Sequence, residues 1–264
     1  VGGGNALRVT LVDGLRAKLS YERAIRLPRT DEVFGDAALV LASLDLAPER
    51  SHNANLGLVY DDEDTAAGSF FVELNGALRD AEQLIVLLGD DRFFRYQNVF
   101  RARALGVELG TRWDSPERWV GIEGSLSYLD HRNRSTDGTF ASFEGDRIPN
   151  RPWLQGSWRL GLRSARLLPV GHELELAYQG RWVHEFFRGW ESQGAREFKQ
   201  VVPTQIAHGL TLAYVHEVAG RTLGATLDVQ NLANAALFDN FGVQRPGRAV
   251  YLKITGSLGA SGRR

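Results

Sequence analysis

The chain has 264 residues, with 31 basic and 32 acidic side chains and neither cysteine nor methionine. A near-neutral chain with no basic run offers nothing to hold nucleic acid, and the lack of cysteine excludes disulfides, thiolate metal sites and cysteine nucleophiles. No apolar run approaches the ~20 residues of a membrane helix, a statement that does not reach membrane strands, whose signal is much weaker. The opening VGGGNALRV has no charged segment followed by an apolar one, so the chain reads as a processed protein or a piece of a longer one. It also lacks the strand–loop–helix setting and the Lys of a phosphate loop.

Helical periodicity is nearly missing. Period-two alternation instead predicts ten strands, in chain order 14–23, 52–60, 69–79, 100–113, 119–130, 153–163, 172–187, 205–216, 221–231 and 248–258. The first puts Leu15, Ala17, Leu19 and Tyr21 on one side and Arg16, Lys18, Ser20 and Glu22 on the other. The next two put Ala54, Leu56, Leu58, Phe70, Val72 and Leu74 opposite Asn53, Asn55, Glu73 and Asn75. Strands four to six place Val107, Ile122, Leu126 and Leu160 opposite Glu108, Glu123, Arg159 and Arg163. The last four place Leu174, Leu176, Leu212, Leu227 and Leu252 opposite Glu173, Glu175, Arg181, Asp228 and Lys253. No carboxylate falls among these apolar positions.

A soluble sandwich also alternates, with its apolar side inward. Connection lengths discriminate. Short links near 61–68, 114–118, 164–171 and 217–220 alternate with long ones near 24–51, 80–99, 131–152, 188–204 and 232–247. Short periplasmic turns opposite long extracellular loops are the pattern of outer-membrane barrels, whose aromatic girdles would be Tyr21, Tyr60, Trp113, Trp119, Trp153, Phe186, Phe187 and Trp190. The predicted fold class is therefore all-β: an antiparallel transmembrane β-barrel segment of about ten strands, with its apolar side against outer-membrane lipid. An even count would leave both termini on the periplasmic side.

Long loops on a rigid scaffold are where ligands are met. Arg26, Arg92, Phe93, Phe94, Arg95, Tyr96 and Trp190 combine charge with aromatic surface there and are the candidate ligand contacts. Glu108, Glu123, Arg159, Glu173, Glu175, Arg181 and Asp228 form the expected lumenal wall. Arg159, Glu173, Glu175, Arg181 and Glu185 crowd adjacent positions, either as a ladder of cross-strand pairs or as a conduit for a polar or metal-chelate substrate. DDED at 61–64 reads as a solvated acidic turn, lacking the ligand spacing of a calcium loop. His208 and His216 fall on the lipid-facing side, and the histidines show no metal-binding spacing. No G-x-S-x-G marks a nucleophile, so no enzyme, cofactor or metal is expected.

Four stretches carry a resemblance. LSYERAIRLPRTDEVFGD (19–36) with LAPERSHNANLGLVY (46–60), RARALGVELGTRW (101–113), GDRIPNRPW (145–153) and VQNLANAALFDNFGVQRPGR (229–248) resemble, in family order, the barrel motifs of TonB-dependent outer-membrane receptors. The resemblance implies the C-terminal portion of a 22-stranded barrel in a Gram-negative outer membrane. It also implies a plug domain, further strands and a TonB-engaging segment outside this sequence. Function would be TonB-dependent uptake of a scarce extracellular ligand of the siderophore, vitamin or oligosaccharide class. Family barrels usually end on an aromatic residue, where this chain has at best Leu258. The alternatives are a self-contained small barrel acting as adhesin or pore, and a soluble glycan-binding β-protein.

Overall fold

The computed structural model describes every residue except 1, 37, 90–92, 165–167, 196–198, 219 and 259–264, and backbone alone at 64, 218 and 258. Its strands, in chain order, are β1 (Gly3–Val12), β2 (Leu15–Arg26), β3 (Val40–Leu41), β4 (Glu49–Thr65), β5 (Gly68–Gly89), β6 (Phe94–Asp114) and β7 (Val120–Asn133). They continue with β8 (Leu154–Arg163), β9 (His172–Val183), β10 (Phe186–Phe187), β11 (Val201–Val202), β12 (Gln205–Val218), β13 (Arg221–Gln230) and β14 (Ala249–Leu258). One short helix, α1 (Thr30–Phe34), lies between β2 and β3. The long strands form one open antiparallel sheet in the order β1-β2-β4-β5-β6-β7-β8-β9-β12-β13-β14, each beside its neighbour in sequence. The two-residue pair β10–β11 stands apart.

β1 is an addition to the sequence expectation, because its glycine-rich start hid the alternation. Leu7 and Val9 pair with Leu19 and Ala17 and extend the apolar face, while Arg8 pairs with Lys18 on the polar one. The link is the dipeptide Asp13–Gly14. Gly14 has φ 75°, and a Cβ there would sit 2.9 Å from the Asp61 carbonyl oxygen, so glycine serves both turn and packing. The extra strand corrects the expected position of the termini: β1 starts at the long-loop rim and β14 ends at the short-turn rim.

Alternation is physically expressed as two unlike faces. Leu19, Leu56, Leu74, Leu105, Ile122, Leu126, Leu160, Leu212, Leu252 and Ile254 are all exposed, on one face. Nothing among the described residues packs on that face. Monomers in water rarely expose contiguous apolar patches beyond a few hundred Å², which removes the soluble-sandwich alternative. Tyrosines and histidines on this face satisfy one another: Tyr21 with His52 at 2.7 Å, Tyr178 with His208 at 2.7 Å, and His172 with Tyr214 at 2.6 Å. Such pairs let polar ring tips sit beside an apolar surface without losing a hydrogen bond.

Three boundaries differ from the sequence reading. The expected acidic turn at 61–64 is strand, with the turn itself at Ala66–Ala67, because Asp61 is held by Arg16 at 3.2 Å and the ladder continues past it. The strand expected to reach 187 ends at Val183, and Phe186–Phe187 instead pair with Val201–Val202. The expected loop 80–99 is mostly a continuation of β5 and β6 beyond the apolar belt. Its LIVLL run does not alternate because it is covered on both sides: Leu84, Ile85, Val86 and Leu88 are all buried.

The two outermost strands, β1 and β14, leave their outer backbone groups without a partner strand. Open edges are not tolerated in hydrocarbon. The isolated segment is therefore expected to aggregate or close on itself, as seen by size-exclusion chromatography. A monodisperse monomer without detergent would contradict the membrane assignment.

Candidate functional site

The long-loop rim carries a packed layer. The β5–β6 hairpin projects from the wall, and Ala81, Leu84, Val86, Leu88, Val99 and Ala102 form a core with Phe140, Ile148 and Trp190 from two other loops. Ala81 and Leu84 share this core although strict alternation would part them; Gln83, at φ 54°, breaks the alternation between them. Trp190 stacks on Phe143 at 5.1 Å and lies 5.4 Å from Phe140. On the same rim, β3 adds to β6, the Ser43 hydroxyl donates to the Tyr96 carbonyl, and Asn98 bonds Ala47 and Gln83. Phe241, from the loop before β14, meets Phe94 edge-on at 5.1 Å.

The motif residues at 19–60 are brought together as an ionic clamp. Glu49 is 2 % exposed; Arg26 reaches it at 3.3 Å and Glu32 at 2.8 Å, and Arg79 donates to the other Glu49 oxygen. The Ile85 amide also donates to Glu49, at 3.3 Å, and the Arg29 amide to Glu32, at 2.8 Å. The clamp ties the α1 loop to β4 and β5. Arg26 is thus a positioning residue rather than an open ligand contact, since two buried carboxylates already hold its guanidinium. The sequence reading missed Glu32, Glu49 and Arg79; the Arg and Glu inside the two quoted motifs were the available signal. In the stretch before β14, Asn231 closes its own turn by two bonds with Ala235, Asn234 accepts from the Arg248 amide, and Asp239 accepts from Phe241 and Val243.

The remaining predicted contacts do not converge on one pocket. Phe93 and Arg95 are exposed near the hairpin tip, Phe94 packs on Phe241, and Tyr96 is half-buried under Ser43. Arg92 lies outside the described residues. Trp190 is a correction: at 7 % exposure it is a core side chain of the loop layer, and Phe186 is likewise buried, so neither belongs to a girdle. Beneath the loop before β14, a cavity of about 60 Å³ opens on the polar face, lined in part by Arg181, Gln205, Phe238 and Arg245.

The wall residues mostly pair across strands. Arg159 donates to Glu175, Arg163 to Asp114 at 2.9 Å, Arg181 to Gln155 at 3.0 Å, Ser127 to Glu108 at 3.4 Å and Thr211 to Asp228 at 2.7 Å. Glu123 lies opposite both Arg112 and Arg159 in register. Glu173 and Glu185 are exposed on this face or at its edge. This is the ladder arrangement.

Above the belt on the polar face sits a different group. His131, beyond the Tyr128 end of the apolar belt on β7, is 6 % exposed. Burial, then the nearby charges of Arg151 and Arg79, push its pKa down to about 3, against a weaker pull from Asp130, so it is a neutral imidazole at physiological pH. Burial first, and then Arg79, also lowers Arg151 from the ordinary guanidinium value. Arg79 has Glu49; Arg151 has no carboxylate within 4 Å among the described residues. An anion would relieve this local excess of positive charge.

The sequence matches the family described as "TonB dependent receptor-like, beta-barrel" over residues 4–232. No curated protein matches it. Among solved structures, the ferric preacinetobactin receptor BauA of Acinetobacter baumannii superposes with a TM-score of 0.68 at 16% identity, over 96% of this chain and 36% of its own. The copper transporter OprC gives 0.69 at 19%, over 96% and 38%. The ferric enterobactin receptor PfeA of Pseudomonas aeruginosa gives 0.66 at 16%, over 96% and 39%. The chain thus spans well under half the length of these relatives, which fits an open sheet that is an arc of a larger cylinder. With its polar face as lumen and its apolar face toward lipid, the chain belongs to the TonB-dependent receptor family and forms part of the family's β-barrel.

Proposed function

We propose that this segment is the C-terminal part of the wall and mouth of a receptor that admits a scarce extracellular ligand through the outer membrane of a Gram-negative bacterium. A plug domain and further strands outside this sequence complete the barrel, and TonB supplies energy through that absent part. The role is transport rather than catalysis. The observation that carries the reading is the one-sided loop layer: packed, ion-clamped loops at one rim, tight turns at the other, on a wall with one apolar face. The relatives are named for ferric preacinetobactin, ferric enterobactin and copper, so similar walls serve different cargo. We take a siderophore, vitamin or oligosaccharide as the class, and Arg151 favours an anionic member. Phe93 and Arg95 at the exposed hairpin tip are the first contacts we assign, with Arg92 beside them in sequence.

The test is topological. An epitope tag inserted after Gly138, in the exposed β7–β8 loop, is expected to bind antibody on intact cells expressing the receptor. A tag after Ala66, in the β4–β5 turn, is expected to bind only after permeabilisation. The reverse result would invert the wall and remove the mouth loops from the outside.

A further inference from the structure

The clamp and the ladder account for most charges on the polar face, but a second set of arginines lies on the other face. Register places Tyr21, Ala54, Leu78 and Leu105 in one row across β2, β4, β5 and β6, the last apolar row at the loop rim. The next row outward is Arg23, His52, Asp80, Arg103 and Arg132. The row beyond it contains Arg50, Glu82 and Arg101, with Arg134 joined to Arg101 through the backbone. All of these except Arg132 line a surface hollow of about 440 Å³ whose lining holds five arginines (23, 50, 101, 103 and 134) against the two carboxylates of Asp80 and Glu82.

Asp80 is already engaged by Arg103 at 2.7 Å, and Arg132 by Asp130 at 2.7 Å. Among the described residues, the guanidiniums of Arg23, Arg50, Arg101 and Arg134 have no carboxylate within 4 Å and no hydrogen bond. Glu82 stands between Arg50 and Arg101 in register but is within 4 Å of neither, and five arginines against two carboxylates leave the hollow with an excess of positive charge that an anion would offset. Their position narrows what that counter-charge is. They face away from the lumen, so neither cargo nor plug reaches them, and Arg23 sits one row, Arg50 and Arg101 two rows, beyond the exposed leucines. A bound molecule covering both rows has an acyl part on Leu78 and Leu105 and an anionic head at the arginines. Guanidinium matches phosphate by paired N–H···O bonds, and basic clusters at a membrane rim recruit phosphorylated lipid heads.

We propose that this hollow is a binding site for a phosphorylated glycolipid of the outer leaflet, with Arg23, Arg50, Arg101 and Arg134 holding its phosphates. The site rests on the membrane orientation given above, and the tag experiment tests that orientation separately.

The test uses the purified receptor containing this segment in detergent, titrated with a bis-phosphorylated glycolipid, the same lipid after phosphatase treatment, or inorganic phosphate, and read by native mass spectrometry. The wild type is expected to retain the phosphorylated lipid and to bind the dephosphorylated one at least about tenfold more weakly. R50Q/R101Q/R134Q is expected to lose the same factor, whereas K18Q, on the lumenal face, is not. Equal retention of both lipids by the wild type overturns the proposal without recourse to any variant. So does retention by the triple variant within about twofold of wild type, or displacement of the lipid by inorganic phosphate at equal concentration, which would make this a free-anion site. Correct tag topology together with any of these results sinks the lipid site and leaves the receptor reading intact.

Discussion

Leu212→Arg is expected to block assembly of the barrel into the membrane, while Thr211→Arg leaves it nearly unchanged. The two positions are adjacent on β12 and point to opposite faces. Leu212 sits between Leu176 and Leu227 in register, on the exposed apolar face, with apolar rows on either side along the strand. An arginine there meets acyl chains and costs about 2–4 kcal/mol near the midplane. Thr211 faces the lumen and bonds Asp228 at 2.7 Å, so an arginine finds both water and a carboxylate there. The measurement is the amount of heat-modifiable receptor in the outer-membrane fraction. Equal tolerance at both positions would mean that the apolar face does not meet lipid.

Glu49→Ala is expected to loosen the mouth far more than its single charge suggests. Glu49 is buried between Arg26 and Arg79 and also accepts the Ile85 amide. Its removal leaves two guanidiniums facing each other and an amide without its acceptor. The two guanidiniums are 38% and 41% exposed and Arg26 keeps Glu32, so the loss costs about 1–3 kcal/mol, equivalent to roughly fivefold to a hundredfold in a local opening equilibrium. Amide exchange over 27–48 and 80–89 should accelerate accordingly, with the lower wall unaffected. Lys18→Ala is the contrast. Its contact with Glu73 is 3.5 Å long and its side chain is 48% exposed, so its loss should be nearly silent. Matching effects from the two substitutions would show that the clamp is an ordinary surface pairing.

The alternation of Leu15, Ala17, Leu19 and Tyr21, of Ala54, Leu56 and Leu58, and of Leu223, Ala225, Leu227 and Val229 is enough to define these strands and their two faces. That much is legible because a strand's side chains alternate whatever surrounds it, so a lipid-facing row repeats every second residue along the chain. The paired motifs around Arg26 and Glu49 and the turn formers around Asn231 are legible in the same local way.

What the sequence did not reveal depends on contacts between distant residues. β1 became recognisable only through its register with β2. The LIVLL run lost its alternation because loops cover the β5–β6 extension on both sides, and the same loops drew Trp190 into a core rather than a girdle. Arg26 changed from an open contact to a clamp once Glu32 and Glu49 closed on it. Along the chain, Arg23, Arg50, Arg101 and Arg134 are far apart and form no basic run. The sheet sets neighbouring strands about 4.8 Å apart, and that lateral spacing, which no linear pattern encodes, turns four scattered arginines into one cationic surface.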